Sequence, residues 1–147
     1  MKLTRFTDYS LRVLMYLGLK GEERVTIREI SDAYRISRNH LMKVVSNLTR
    51  TGYLDARRGP GGGITLARPA NEINLAHVVR DMEEDMNLVE CFCAEGKCVI
   101  TPVCGLRYVL GEALTAYLAE LERHSLQDLI EPRRELRSLL GMTRRIN

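Results

Sequence analysis

The chain has 147 residues, 45% of them hydrophobic and 28% charged, with a formal net charge of +3. That suits one modest core, or a small domain joined to an oligomerisation element. Charges interrupt every apolar run well short of the roughly 20 residues that cross a bilayer, and Met1-Lys2-Leu3-Thr4-Arg5 opens no signal-peptide hydrophobic region.

A cytoplasmic location without membrane contact is therefore expected, in a compartment that keeps thiols reduced. The charge is unevenly spread. Residues 1–70 carry 13 Lys and Arg against 6 Asp and Glu, residues 71–104 carry 2 against 7, and residues 105–147 carry 7 against 6. A basic first half of +7 is the electrostatic footprint of a nucleic-acid binder.

Asp8 to Lys20 has apolar residues at Leu11, Leu14, Met15 and Leu17–Leu19, which is helical spacing, with Thr7 or Asp8 as N-cap. Thr26 opens a second helix, with Glu29 completing a capping box, and this helix runs from Ile27 to about Tyr34. Arg35-Ile36 is a short turn. Ser37 then caps a third helix from Arg38 to about Thr51, stopped by Gly52. Its apolar face holds Leu41, Val44, Val45 and Leu48, and its polar side holds Arg38, Asn39, His40, Lys43 and Asn47. Two helices joined by so short a turn predict a helix-turn-helix whose second helix enters the major groove.

Tyr53–Arg57 and Ile64–Leu66 read as strands around Gly59-Pro60-Gly61-Gly62-Gly63, a turn because so many glycines do not sit inside a sheet. A hairpin there is a wing. Its tip, Gly61 and Gly62, and the arginines at the base of the tip, Arg57 and Arg58, are placed to meet backbone or minor groove. The glycine run ends in Ile64 rather than Gly-Lys-Ser/Thr, which excludes a nucleotide loop.

Leu75 to about Glu84 reads as a short amphipathic helix with an acidic end. Thr101 as N-cap and Pro102 at the first position predict a long helix to about His124. Its stripe of Leu106, Leu110, Ala113, Leu114, Tyr117, Leu118 and Leu121 exceeds what so small a core needs, so a second subunit is expected to cover it. The expected fold is mainly α with a small β-hairpin wing, a winged helix-turn-helix plus a long dimerisation helix. The expected division is 1–70 for DNA binding, 71–104 for a connecting helix and cysteine loop, 105–131 for dimerisation and 132–147 for a partly ordered tail.

Between these halves lies E-C-F-C-A-E-G-K-C-V-I-T-P-V-C, Glu90 to Cys104, which holds all four cysteines of the chain, at 91, 93, 98 and 104. In a reducing compartment such clustering points to thiolates round a metal or an iron–sulfur cluster, or to redox sensing.

Four segments resemble the Rrf-two family of bacterial winged-helix iron–sulfur regulators: Leu3 to Tyr9, Ile36 to His40, Arg57 to Gly63, and Cys93-x4-Cys98-x5-Cys104. The similarity covers roughly residues 1–131. The glycine-rich wing carries the family likeness. The Ser37-Arg38-Asn39-His40 segment and the cysteine spacing favour its nitric-oxide-sensing branch. The sibling branch that adjusts iron–sulfur assembly genes uses a histidine three residues after its third cysteine, where this chain has Arg107. The resemblance implies a cluster, 4Fe-4S favoured over 2Fe-2S, on Cys93, Cys98 and Cys104. The extra Cys91 could replace Cys93 or lie idle, and the trio with Cys93 is favoured. The resemblance further implies a fourth ligand, Asp8 from the other subunit, with Arg12 one turn on to hold its carboxylate. It implies a homodimeric repressor on double-stranded operator DNA, released when nitric oxide nitrosylates the cluster. Without the family, Asp8 would read as a helix N-terminal charge.

Other readings fit less well, among them a winged helix that serves protein binding, which a salt-dependent DNA shift would exclude. Zinc favours paired C-x2-C knuckles over C-x-C-x4-C-x5-C. A cofactor-free thiol switch would use Cys104, activated at the start of its helix. The scattered His40, His77 and His124 lack an acid–nucleophile pattern, which argues against catalysis.

Overall fold

The computed structural model describes residues 2–93 and 96–142. Among them are seven α-helices and one two-stranded sheet: α1 Arg5–Lys20, α2 Ile27–Tyr34, α3 Arg38–Arg50, β1 Leu54–Arg57, β2 Gly63–Leu66, α4 Leu75–Met82, α5 Gly105–Glu122, α6 Leu126–Leu129 and α7 Arg133–Leu139. This is the expected winged helix-turn-helix followed by a long helix.

The core lies where the apolar faces of α1, α3 and α4 meet. Val13, Leu14 and Leu17 of α1, Leu41 and Leu48 of α3, and Val78 of α4 are fully buried, with Ile30 of α2 and Val25 and Ile73 from connecting segments. Each fully buried aliphatic side chain contributes roughly 1.5–3 kcal/mol over exposure. This packing, rather than helix propensity, holds α2, only 8 residues long, in helical form.

α1 begins earlier than its apolar period suggested. Its N-cap is Thr4, not Thr7 or Asp8: the Thr7 amide donates to Thr4 Oγ1 at 3.2 Å. The Thr4 amide and hydroxyl in turn donate to Glu83 Oε1 at 2.8 and 3.1 Å, so the acidic end of α4 anchors the start of α1. Asp8 therefore sits within the first helical turn. α2 has the expected capping box between Thr26 and Glu29, and Ser37 caps α3. In the turn between them, Arg35 is left-handed at φ 56°, an unusual conformation for a side-chain-bearing residue. The Ser31 hydroxyl, donating to Ile36 O at 2.7 Å, closes that turn.

β1 and β2 pair antiparallel, Leu54 opposite Leu66 and Arg57 opposite Gly63. Val25 forms a bridge to Ile64, tying the hairpin to the α1–α2 connection. Gly63 is required there: its φ is 135°, and a Cβ would come within 3.0 Å of Val25 O.

Beyond the start of α1, further features differ from the sequence reading. α4 stops at Met82, because Glu83 turns extended at φ −80°, ψ 130°. The helix expected from Pro102 begins at Gly105. Thr101–Val103 form a separate 3-10 turn, and Cys104 is extended between the two. The predicted stripe on α5 divides: Leu110, Leu114, Tyr117, Leu118 and Leu121 are half-buried, whereas Leu106 and Ala113 are exposed. The tail expected to be partly ordered contains α7. Arg133 and Arg137 donate to Gly18 O and Leu19 O at 2.6 and 2.7 Å, filling carbonyls left open at the end of α1. Residues 143–147 of that tail lie outside the described residues.

Candidate metal centre and nucleic-acid interface

Two groups of residues carry the expected chemistry. The first is the cysteine loop. Glu90–Phe92 form a 3-10 turn rather than an extended segment, so Cys91 and Cys93 do not share a side as strand neighbours would. Cys91 is half-buried, and Arg107 Nε donates to its carbonyl oxygen at 3.1 Å. Arg107 is thus engaged with backbone at the position where the sibling branch has a histidine. Cys93 and Cys98 are exposed and Cys104 is half-buried; all four thiols are free. Gly96 donates to Cys93 O at 3.1 Å, and a Cβ on it would come within 2.7 Å of Glu90 O, so the loop is closed tightly there. An open groove of about 640 Å³ runs from Phe92 past Cys104 to Thr115.

Among the described residues no three Cys, His, Asp or Glu side chains of one chain converge to hold a metal ion. The donors nevertheless suit an iron–sulfur cluster in kind: soft, unpaired thiols within a short loop. The Thr101 hydroxyl beside them is buried with no hydrogen-bond partner, a polar group the loop alone leaves unsatisfied.

Asp8 is the other expected ligand. Arg12 grips it with both arms, Nη2 to Oδ2 at 2.7 Å and Nε to Oδ1 at 3.0 Å, and both side chains are 43% exposed. The i+4 pairing expected from sequence is present. Arg12 also lies over the rings of Tyr9 and Tyr34, at 5.9 and 6.0 Å. Burial pushes the Tyr34 phenol up to about 12, opposed by the positive charge of Arg12. Tyr9 packs against His40 of α3, ring centres 6.2 Å apart. A chain of contacts thus runs Asp8, Arg12, Tyr9, His40.

The second group is the outer face of α3 with the wing. Ser37, Arg38, Asn39, His40 and Lys43 are exposed together, opposite the buried Leu41, Val44, Val45 and Leu48. Asn47, expected on the same polar side, is half-buried and engaged inward, its amide on Met82 Sδ at 3.5 Å and its oxygen accepting from Arg50. Arg57, Arg58 and Gly61 are exposed and Gly62 is half-buried. Gly62 has no room for a side chain: a Cβ would lie 2.7 Å from Gly59 O.

Composition gave no sign of how the wing is aimed. Arg24 donates to Asp55 Oδ2 at 2.9 Å and to Gly63 O at 3.2 Å, bracing both strands against the α1–α2 connection. The hydrogen bond from Arg24 holds the Asp55 carboxyl below its ordinary range, with Arg57 adding to the effect. A depressed folded-state pKa means the brace is intact above the ordinary carboxylate range and is lost as pH falls through the lowered value. In Arg24→Met the Asp55 titration, followed by carboxyl-carbon NMR, should move up toward an unpaired aspartate. An unmoved titration would assign the shift to Arg57 instead.

A helix-turn-helix with a polar, exposed face on α3, a braced wing and a long helix beyond them define a winged-helix protein. The family model described as Rrf2, iron-dependent transcriptional regulator, matches residues 3–132, and the chain belongs to that family. It is 50% identical to the HTH-type transcriptional regulator NsrR of Bacillus subtilis over 97% of this chain and 99% of that one. It is 51% identical to NsrR of Geobacillus kaustophilus over 95% and 97%. The solved structure of T. potens IscR superposes with a TM-score of 0.74 at 19% identity, covering 92% of this chain and 90% of that one, a likeness of fold. These relatives are named as regulators, not enzymes. Among the described residues no helix is long and apolar enough to cross a membrane.

Proposed function

We propose that the chain is an iron–sulfur repressor that binds operator DNA as a homodimer and releases it when nitric oxide nitrosylates the cluster. The observation that carries this reading is the position of Asp8. Its half-exposed carboxylate stands on α1, and that helix packs Tyr9 against His40 of the helix that would read DNA. About half the residues are shared with relatives named NsrR, which supports it.

In this reading Cys93, Cys98 and Cys104 would hold the cluster to one subunit, and Asp8 would join it to α1 of the other. The cluster supplies iron with affinity for nitric oxide. The carboxylate would be the hardest donor of the four and the poorest match to the soft sulfur set, so the Asp8 link would be the weakest. Arg12, already paired with Asp8, would keep the carboxylate as an ion pair once that link is lost, and α1 would no longer be tied to the partner's loop. The two α3 helices then lose the fixed spacing, roughly 34–36 Å, that two half-sites of a palindrome require.

The test titrates nitric oxide into anaerobic holo-protein while following operator binding, with apo-protein as control. Holo-protein should bind and release on nitrosylation, because a signal shifts DNA binding only if the two forms differ in affinity. Undiminished binding after full nitrosylation, or equal binding by apo-protein, would sink the mechanism. Arg58, exposed at the base of the wing tip, should neutralise one phosphate. Arg58→Ala should weaken binding to all sequences and lower the salt slope by about one unit. An unchanged slope removes it from the interface.

A further inference from the structure

Met42 stands out on α3. Among the described residues of 1–70 it is the one large apolar side chain left exposed, at 56%; the others lie at 99–109 and at Leu139. It is not needed by the core, which α3 meets through Leu41, Val44, Val45 and Leu48. At 3.6 residues per turn its neighbours on the outer face are Arg38 at i−4, Asn39 at i−3 and Ser46 at i+4, and all three are exposed. A protein-docking patch would surround it with further apolar groups, whereas here it is a single apolar group among hydrogen-bonding ones.

That arrangement matches the edge of an A·T pair in the major groove. Adenine presents an N7 acceptor and N6 donor, which an asparagine engages in two bonds. Thymine presents the C5 methyl, the one apolar group that any of the four bases offers there. We propose that Met42 reads the C5 methyl of a thymine in each half-site, beside Asn39, and so sets base preference at that position. The unbranched thioether reaches and adapts to such a methyl without a fixed rotamer, and its burial there removes two apolar groups from water at once. The inference rests on the reading of α3 as the helix that enters the groove.

The test uses full-length holo-protein and an operator selected by it from a random duplex pool. Each thymine of the half-site is replaced in turn, symmetrically, by deoxyuridine, which pairs identically but lacks the methyl. One position should cost wild-type protein about fourfold per half-site, on the order of fifteenfold for the palindrome, as expected for one buried methyl-sized group on each side. Met42→Ala should bind the parent operator more weakly and lose the thymine-over-deoxyuridine preference at that position alone. Met42→Leu should keep it. Because Met42 is exposed, both variants should melt as the wild type does. If every deoxyuridine operator affects wild type and Met42→Ala equally, Met42 does not read a methyl and the inference is overturned while the DNA-binding reading stands. If no salt-sensitive operator binding is found for the wild type, the reading of α3 falls, and this inference with it.

Discussion

Replacing Cys93, Cys98 or Cys104 by alanine, one at a time, should abolish the visible absorption of anaerobically purified protein and its specific operator binding. Cys91→Ala should leave both in place. The difference follows from the loop. Cys93 and Cys98 are exposed and Cys104 borders the open groove, whereas Cys91 is half-buried in a 3-10 turn with its carbonyl bound by Arg107. Removing one of three thiolates would leave the proposed cluster short of a ligand, and Cys91, with its backbone held by Arg107, is expected not to replace it. Because the loop contributes little to the core, the apo variants should remain folded and helical, so loss of colour would report ligation rather than unfolding. The assignment is wrong if Cys91→Ala bleaches the protein and Cys93→Ala does not. A protein colourless even when purified anaerobically would favour zinc or a thiol switch.

Val109→Asp should weaken the proposed homodimer to monomer and remove operator binding, with no change in helix content. None of the 18 residues of α5 is buried, and Leu106, Tyr108 and Val109 are 65%, 70% and 60% exposed. Val99, Ile100 and Val103 extend the same apolar run into the cysteine loop. So large an exposed apolar surface is what a second copy of the chain would cover. A carboxylate placed within that contact loses its hydration without a partner, which costs several kcal/mol, so dimerisation should weaken by about two orders of magnitude or more. The isolated subunit should tolerate the change, since Val109 faces solvent there. Sedimentation equilibrium gives the readout, and a variant still dimeric at low micromolar concentration would place the contact elsewhere.

Most of the winged helix could be read from residues 1–70 because its determinants are local. The Thr26–Glu29 box, the Ser37 cap and the Gly52 stop each involve groups three or four residues apart, the glycine wing pairs residues no more than twelve apart, and the apolar period repeats within each helix. The Asp8–Arg12 pair is likewise a one-turn relation, and the free thiols of the cysteine loop cluster in sequence. What needed the tertiary structure joins residues far apart in the chain. Thr4 caps α1 with the help of Glu83, 79 residues away. Arg24 aims the wing through Asp55 and Gly63. Arg133 and Arg137 turn an apparent tail into a helix by meeting carbonyls at the far end of α1. Asn47 lies on the polar side of α3 by period, yet the fold engages it with Met82 and Arg50, while Met42, apolar by type, is exposed. Periodicity reports which side of a helix is apolar. Only packing decides which polar groups on the other side are already engaged, and which apolar ones are left for a partner.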